Sequence, residues 1–136
     1  MELPMSSVSE PEPNPLPDDP PDCLAQARPL TPERRLLCMV VRQLTIELLT
    51  AVGFDAERDG RRRATNHVRQ IAMYVCHVAY SMPMIEVAEA FGRDRTTVRH
   101  ACRMVEDRRD DPAYDGFVAI VERMACAVVL VAGPRP

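Results

Sequence analysis

The sequence predicts an all-α protein, a small domain of about five helices that includes a helix-turn-helix. Three observations carry this. Between about residues 31 and 132 apolar residues recur at the i, i+3, i+4 spacing of an amphipathic helix, and no stretch alternates as a half-buried strand does. Glycine and proline interrupt that pattern at intervals suited to short helices. The chain has 136 residues, 46% apolar and 27% charged, which suits one core and leaves no room for two large ones. With 4% aromatic residues and no Trp, that core has to be aliphatic.

Residues 1–30 read as a disordered, acidic, proline-rich tail. Met1 to Pro32 hold nine of the thirteen prolines and six acids against one arginine, a balance of −5, with no apolar periodicity to offset the entropy of ordering. An inert solubilising leader and a docking tail are both compatible with that composition. The domain is expected over residues 31–132, with a short tail at 133–136.

The first helix is announced by Thr31-Pro32-Glu33: a capping hydroxyl, a proline at the first helical position and an acid in the first turn. Leu37, Val40, Val41, Leu44 and Leu48 supply its apolar face, and Gly53 its stop. A polar loop from Phe54 ends in Arg61-Arg62-Arg63, ahead of a second helix over about Thr65 to Tyr80 with Val68, Ile71, Ala72, Val75 and Ala79 on one side. Ser81-Met82-Pro83 breaks it. A third helix follows from about Pro83 to Phe91 and is ended by Gly92, with a short turn at Arg93-Asp94-Arg95. The fourth helix runs from about Arg95 or Thr96 to Asp107 and buries Val98, Ala101, Cys102 and Val105. The last runs from about Tyr114 to Val131 and is apolar around nearly its whole circumference. Such a helix either sits centrally or offers a face to a second copy. The central position is the expectation; homodimerisation through this helix stays open beside it.

The third and fourth helices meet the requirements of a helix-turn-helix. Ala88 is small where the second helix must cross closely, Gly92 tolerates a left-handed turn, and Val98 plugs the angle between the two. The residues facing outward decide between this and an ordinary helical hairpin. Arg95, Arg99 and Arg103 recur every four residues beside Thr96 and His100, a like-charge pattern that destabilises an isolated helix and that an anionic partner relieves. Arg58 to Arg103 contain nine arginines and four acids, so a basic segment lies behind a formal net charge of −3. Arg61, Arg62 and Arg63 next to a helix start form a second anion-binding patch.

All 17 basic residues are arginine. The absence of lysine excludes a P-loop nucleotide site and Schiff-base chemistry, so no nucleotide and no cofactor are expected. The five cysteines form no C-x-x-C pair, and Cys38, Cys76 and Cys102 fall within apolar helical patterns, as reduced buried thiols do. Cys76, His77, His100 and Cys102 match no zinc spacing, so no metal is expected. No catalytic constellation is present and no enzyme is expected. The first residues lack the basic and apolar regions of a secretory signal, and no apolar run is long enough for a bilayer. A cytoplasmic protein of the bacterial nucleoid, without membrane association, is the expectation.

The stretches Arg69-Gln70-Ile71-Ala72-Met73-Tyr74-Val75-Cys76, Ala90-Phe91-Gly92-Arg93-Asp94 and Thr96-Thr97-Val98-Arg99-His100-Ala101-Cys102-Arg103 resemble the C-terminal DNA-binding domain of the bacterial replication initiator DnaA. The resemblance spans roughly Leu36 to Val131 and leaves out that family's AAA+ ATPase part. It implies a fold of the Trp-repressor and replication-initiator type, with double-stranded DNA as partner. It implies that Asp94, Thr96, Thr97 and His100 reach bases and backbone in a major groove; Arg95, Arg99 and Arg103 are added to that surface by their spacing on the same helix and not by the resemblance. Arg69 and Gln70 would contact the backbone, and Arg61, with Arg62 or Arg63 as substitutes, an adjacent minor groove. The family usually has His where this chain has Arg95, an apolar residue where it has Arg99, and two glycines where it has Gly92 alone. Arginine favours guanine through O6 and N7, so Arg95 is expected to shift base preference. The implied role is occupation of initiator-type boxes, as transcriptional regulator or as modulator of replication initiation. The alternative is a protein-interaction module that keeps the fold without binding DNA.

Overall fold

The computed structural model describes residues 30–53 and 60–132. The expected acidic tail through residue 29, the loop segment 54–59 and residues 133–136 lie outside the described residues. Five helices follow one another: α1 (Pro32–Ala51), α2 (Arg61–Ala79), α3 (Met84–Phe91), α4 (Arg95–Arg108) and α5 (Pro112–Ala132). No strand occurs among the described residues, and the all-α helix-turn-helix architecture is the observed one.

α1 begins as its sequence directs. The Thr31 hydroxyl accepts from the Arg34 N–H at 3.2 Å, and Pro32 occupies the first turn. Its buried line is Cys38, Val41 and Thr45, whereas Leu37, Val40, Leu44 and Leu48 are half-buried flanks. The buried face is therefore rotated from the leucine-rich one that hydropathy marks. Thr45 makes this possible: its hydroxyl donates to the Val41 carbonyl at 2.8 Å, so the side chain meets its polar requirement inside its own helix and packs like valine.

α2 is the central element. Ile71 through Cys76 are all buried, six consecutive residues, because α1, α3, α4 and α5 each pack against it. This corrects the expected central position of α5. That helix packs on α2 and α1 through Val118, Val121 and Ala125, while Ile120, Met124, Leu130 and Val131 are exposed, the last two by 76% and 87%. Neighbours settle the matter: all four other helices pack on α2, whereas α5 packs mainly on α2 and α1, so apolar composition alone misassigned the centre.

Two polar clamps fix the helices that carry the turn. Glu86 of α3, buried in the core, is paired with Arg34 of α1. Arg109, just past α4, donates to Asp115 at 2.5 Å, Glu122 at 3.0 Å and the Tyr74 hydroxyl at 3.1 Å, with its guanidinium 5.7 Å from the Tyr74 ring centre. Burial opposes the charge on Arg109, but the bonds to Asp115, Glu122 and Tyr74 more than compensate and hold it protonated. One side chain thus ties the end of α4 to α5 and α2. Between α2 and α3 the chain turns through buried Met82, whose carbonyl accepts from His77 Nδ1 at 2.7 Å.

Candidate nucleic-acid interface

α3 ends where Gly92 takes a left-handed conformation, φ +66° and ψ +36°. The Arg93 N–H reaches back to the Ala88 carbonyl at 2.9 Å and the Gly92 N–H to Glu89 at 3.3 Å, the double closure of a Schellman end. Nothing lies within 4 Å of the place a Cβ on Gly92 would occupy, so the backbone conformation alone demands glycine. Asp94 then caps α4. Its carbonyl accepts from Thr97 and Val98 N–H at 3.0 and 3.2 Å, while its side chain makes no capping bond and is exposed.

The buried residues of α4 are Val98, Ala101, Cys102 and Val105, as its periodicity predicts. At about 100° per residue the opposite side carries Thr96, His100 and Arg103, all exposed. Four residues advance the helix by about 40° beyond a full turn. The Arg95–Arg99–Arg103 series therefore winds from the flank, where Arg95 and Arg99 are half-buried, onto the open side at Arg103. Thr97 is half-buried on the other flank. The open face of α4 is thus centred on Thr96, His100 and Arg103, with the remaining arginines along one border.

The placement of Arg61, Arg62 and Arg63 differs from expectation. They are the first turn of α2 and not a loop ahead of it; the helix starts four residues earlier than its apolar pattern shows. Gly60, at φ +98°, turns the chain into the helix, and arginine is a good helix former, so no breaker holds the turn open. All three are exposed, the N-cap offers no side-chain acceptor, and the first turn holds no acid. Three cations therefore stand at the positive end of the α2 dipole, each unfavourable by about 0.3–1 kcal/mol, where an anion would be favoured.

Further along α2, Arg69 donates from Nη2 to Asn66 Oδ1 at 3.0 Å, and Gln70 is half-buried beside it. Burial first, and then the charge of Arg93, hold the Arg69 guanidinium below the usual arginine range. The turn arginine and the α2 arginine are therefore neighbours, which sequence spacing did not reveal. Arg93 is not legible as a contact from the sequence, because it lies in the turn and outside the periodic arginine series of α4. His67, one turn before Arg69, accepts from Arg108 Nη1 at 3.0 Å through Nδ1. Burial, then Arg108 and Arg63, lower its pKa and favour the neutral ring.

Cys38, Cys76 and Cys102 are buried and Cys126 is exposed. No group of three His, Cys, Asp or Glu side chains able to hold a metal is found among the described residues. No helix among them is long and apolar enough to cross a membrane.

Residues 55–105 match the family model for the bacterial DnaA protein helix-turn-helix. Among curated proteins, the chromosomal replication initiator protein DnaA of Aquifex aeolicus is 41% identical over 73 residues, covering 52% of this chain and 18% of that protein. The protein of the same name from Symbiobacterium thermophilum is 34% identical over 95 residues, covering 68% and 20%. That from Bifidobacterium animalis subsp. lactis is 42% identical over 58 residues, covering 42% and 10%. The chain thus spans a fifth or less of the length of these relatives. No solved structure matches it. The turn at Gly92, its two flanking helices and the basic helix ahead of them make up most of the segment that resembles the bacterial DnaA helix-turn-helix.

Proposed function

We propose that this protein binds double-stranded DNA sequence-specifically, laying the face of Thr96, His100 and Arg103 in a major groove and setting the first turn of α2 against the flanking backbone or minor groove. The observation that carries the reading is electrostatic. Arg62 and Arg63 stand exposed in a first helical turn that holds no acid, where positive charge is unfavourable beside the helix dipole and an anion is favoured. Asp94, Arg95, Thr97 and Arg99 border the α4 face, with Arg69 and Gln70 on α2 as further backbone contacts. In the longer relatives a similar segment accompanies the rest of a replication initiator. Here the domain acts by occupying initiator-type boxes, as a transcriptional regulator or a modulator of replication initiation, with no catalytic step of its own.

Selection of bound duplexes from a random pool, followed by titrations between 50 and 200 mM salt, tests this. A defined box and a logarithmic salt slope near −0.9 per phosphate contact are expected. Affinity that ignores salt, or no enriched sequence, refutes it. Those results would favour a protein-interaction module, for which the exposed Ile120, Met124, Leu130 and Val131 of α5 offer an apolar surface.

A further inference from the structure

Arginines from three parts of the fold surround one hollow of about 370 Å³ where α1, α2 and the end of α3 meet. Arg35 and Arg42 come from α1, Arg69 from α2 and Arg93 from the turn, with Thr65 and Phe91 among the other lining residues. None of the lining residues is acidic. Glu89 approaches from outside, 3.7 Å from Arg35, too far for a good hydrogen bond. A concave, partly apolar wall studded with charge of one sign focuses potential into the hollow. The like charges are felt already, since Arg93 helps to lower Arg69.

We infer that this hollow is a phosphodiester-binding pocket for the DNA backbone, to which α1 contributes Arg35 and Arg42 beyond the helix-turn-helix itself. This rests on the DNA-binding reading above. Guanidinium groups suit the task because they are weakly hydrated, planar and able to hold two phosphate oxygens at once. Two of the four, Arg69 and Arg93, belong to the helix and turn that border the candidate groove-facing surface, so a duplex seated there runs its backbone past the mouth of the pocket. The contribution of α1 is not visible in the helix-turn-helix pattern, because Arg35 and Arg42 lie 27 residues or more before Arg69 in the chain. Tertiary packing alone brings them to it.

The test compares the wild-type protein with an Arg35→Gln/Arg42→Gln double variant and with Arg123→Gln on the exposed side of α5. Each is titrated with the selected duplex and with a random duplex across the salt series. One phosphate contact corresponds to a salt slope of about 0.9, or about eightfold in affinity at 0.1 M salt. The double variant should lose that much on both duplexes alike, with a correspondingly shallower slope, because a backbone contact carries no base information. Arg123→Gln should match the wild type. A folded double variant with wild-type slope and affinity overturns the inference and leaves the DNA-binding reading intact. Absence of binding by the wild type to either duplex overturns both. If circular dichroism shows the double variant unfolded, Arg42→Gln alone, which keeps the Arg35–Glu89 approach, must still show the shallower slope. Inorganic phosphate alone at millimolar concentration should leave the melting temperature unmoved. Clear stabilisation by it would reassign the pocket to a free anion.

Discussion

Replacing Arg62 by glutamate should raise stability and lower DNA affinity together. Arg62 is exposed in the first turn of α2, behind a glycine N-cap with no side-chain acceptor. Removing a cation from the positive end of a helix dipole relieves about 0.5 kcal/mol, and placing an anion there adds about as much again. The expected gain is about 1 kcal/mol, or about 4–8 °C in melting temperature for a domain near 100 residues. Arg62→Gln should give about half of that. If this turn holds a phosphate, the glutamate variant also loses at least one contact, about eightfold in affinity at 0.1 M salt and about 0.9 in slope. Differential scanning calorimetry and fluorescence anisotropy on the same preparations separate the two effects. A melting temperature that falls or stays put in both variants would falsify the account of the uncapped helix start. A rise in stability with affinity untouched would instead remove the first turn of α2 from the interface.

Other residues lead to independent expectations. Gly92→Ala meets no steric obstacle, so its cost should be only the left-handed backbone penalty, about 1–2 kcal/mol, with Gly92→Asn costing less; equal urea midpoints for all three proteins would contradict this. Arg34→Ala strips the partner from the buried carboxylate of Glu86 and should cost about 2 kcal/mol or more, whereas Arg34→Ala combined with Glu86→Gln should recover part of it; a double variant no more stable than the single one would show that charge is not the cause. His67 has a folded pKa below its ordinary 6.5, so its stabilising contribution is complete above about pH 6.5 and is lost as pH falls through the lower folded value. The stability difference between wild type and His67→Gln, measured by urea unfolding from pH 7.5 to 5, should therefore shrink towards acid pH, and a constant difference would exclude the linkage.

The legibility of the fold varied with how local its causes are. Thr31 and Pro32 start α1 and Gly92 ends α3 through bonds and dihedral limits within a few residues of themselves, so the sequence shows them directly. The start of α2 was missed because Arg61–Arg63 carry no apolar residue and hence no periodicity, although arginine favours helix. The rotated face of α1 was missed because Thr45 counts as polar until its hydroxyl is seen bonded to Val41. The open face of α4 needed one further quantity, the 40° advance that carries Arg95, Arg99 and Arg103 from border to surface.

What the chain's order of residues determined by itself was the helical class, most helix ends, the turn at Gly92 and the buried line of α4, because all of these rest on periodicity and capping within one or two turns. Tertiary structure decided that α2 and not α5 lies at the centre, that Glu86 is buried against Arg34, that Arg109 binds three elements together, and that Arg35 and Arg42 stand beside Arg69 and Arg93. Each of these joins groups far apart along the chain. Burial and electrostatics depend on distance in space, and only packed helices set that distance.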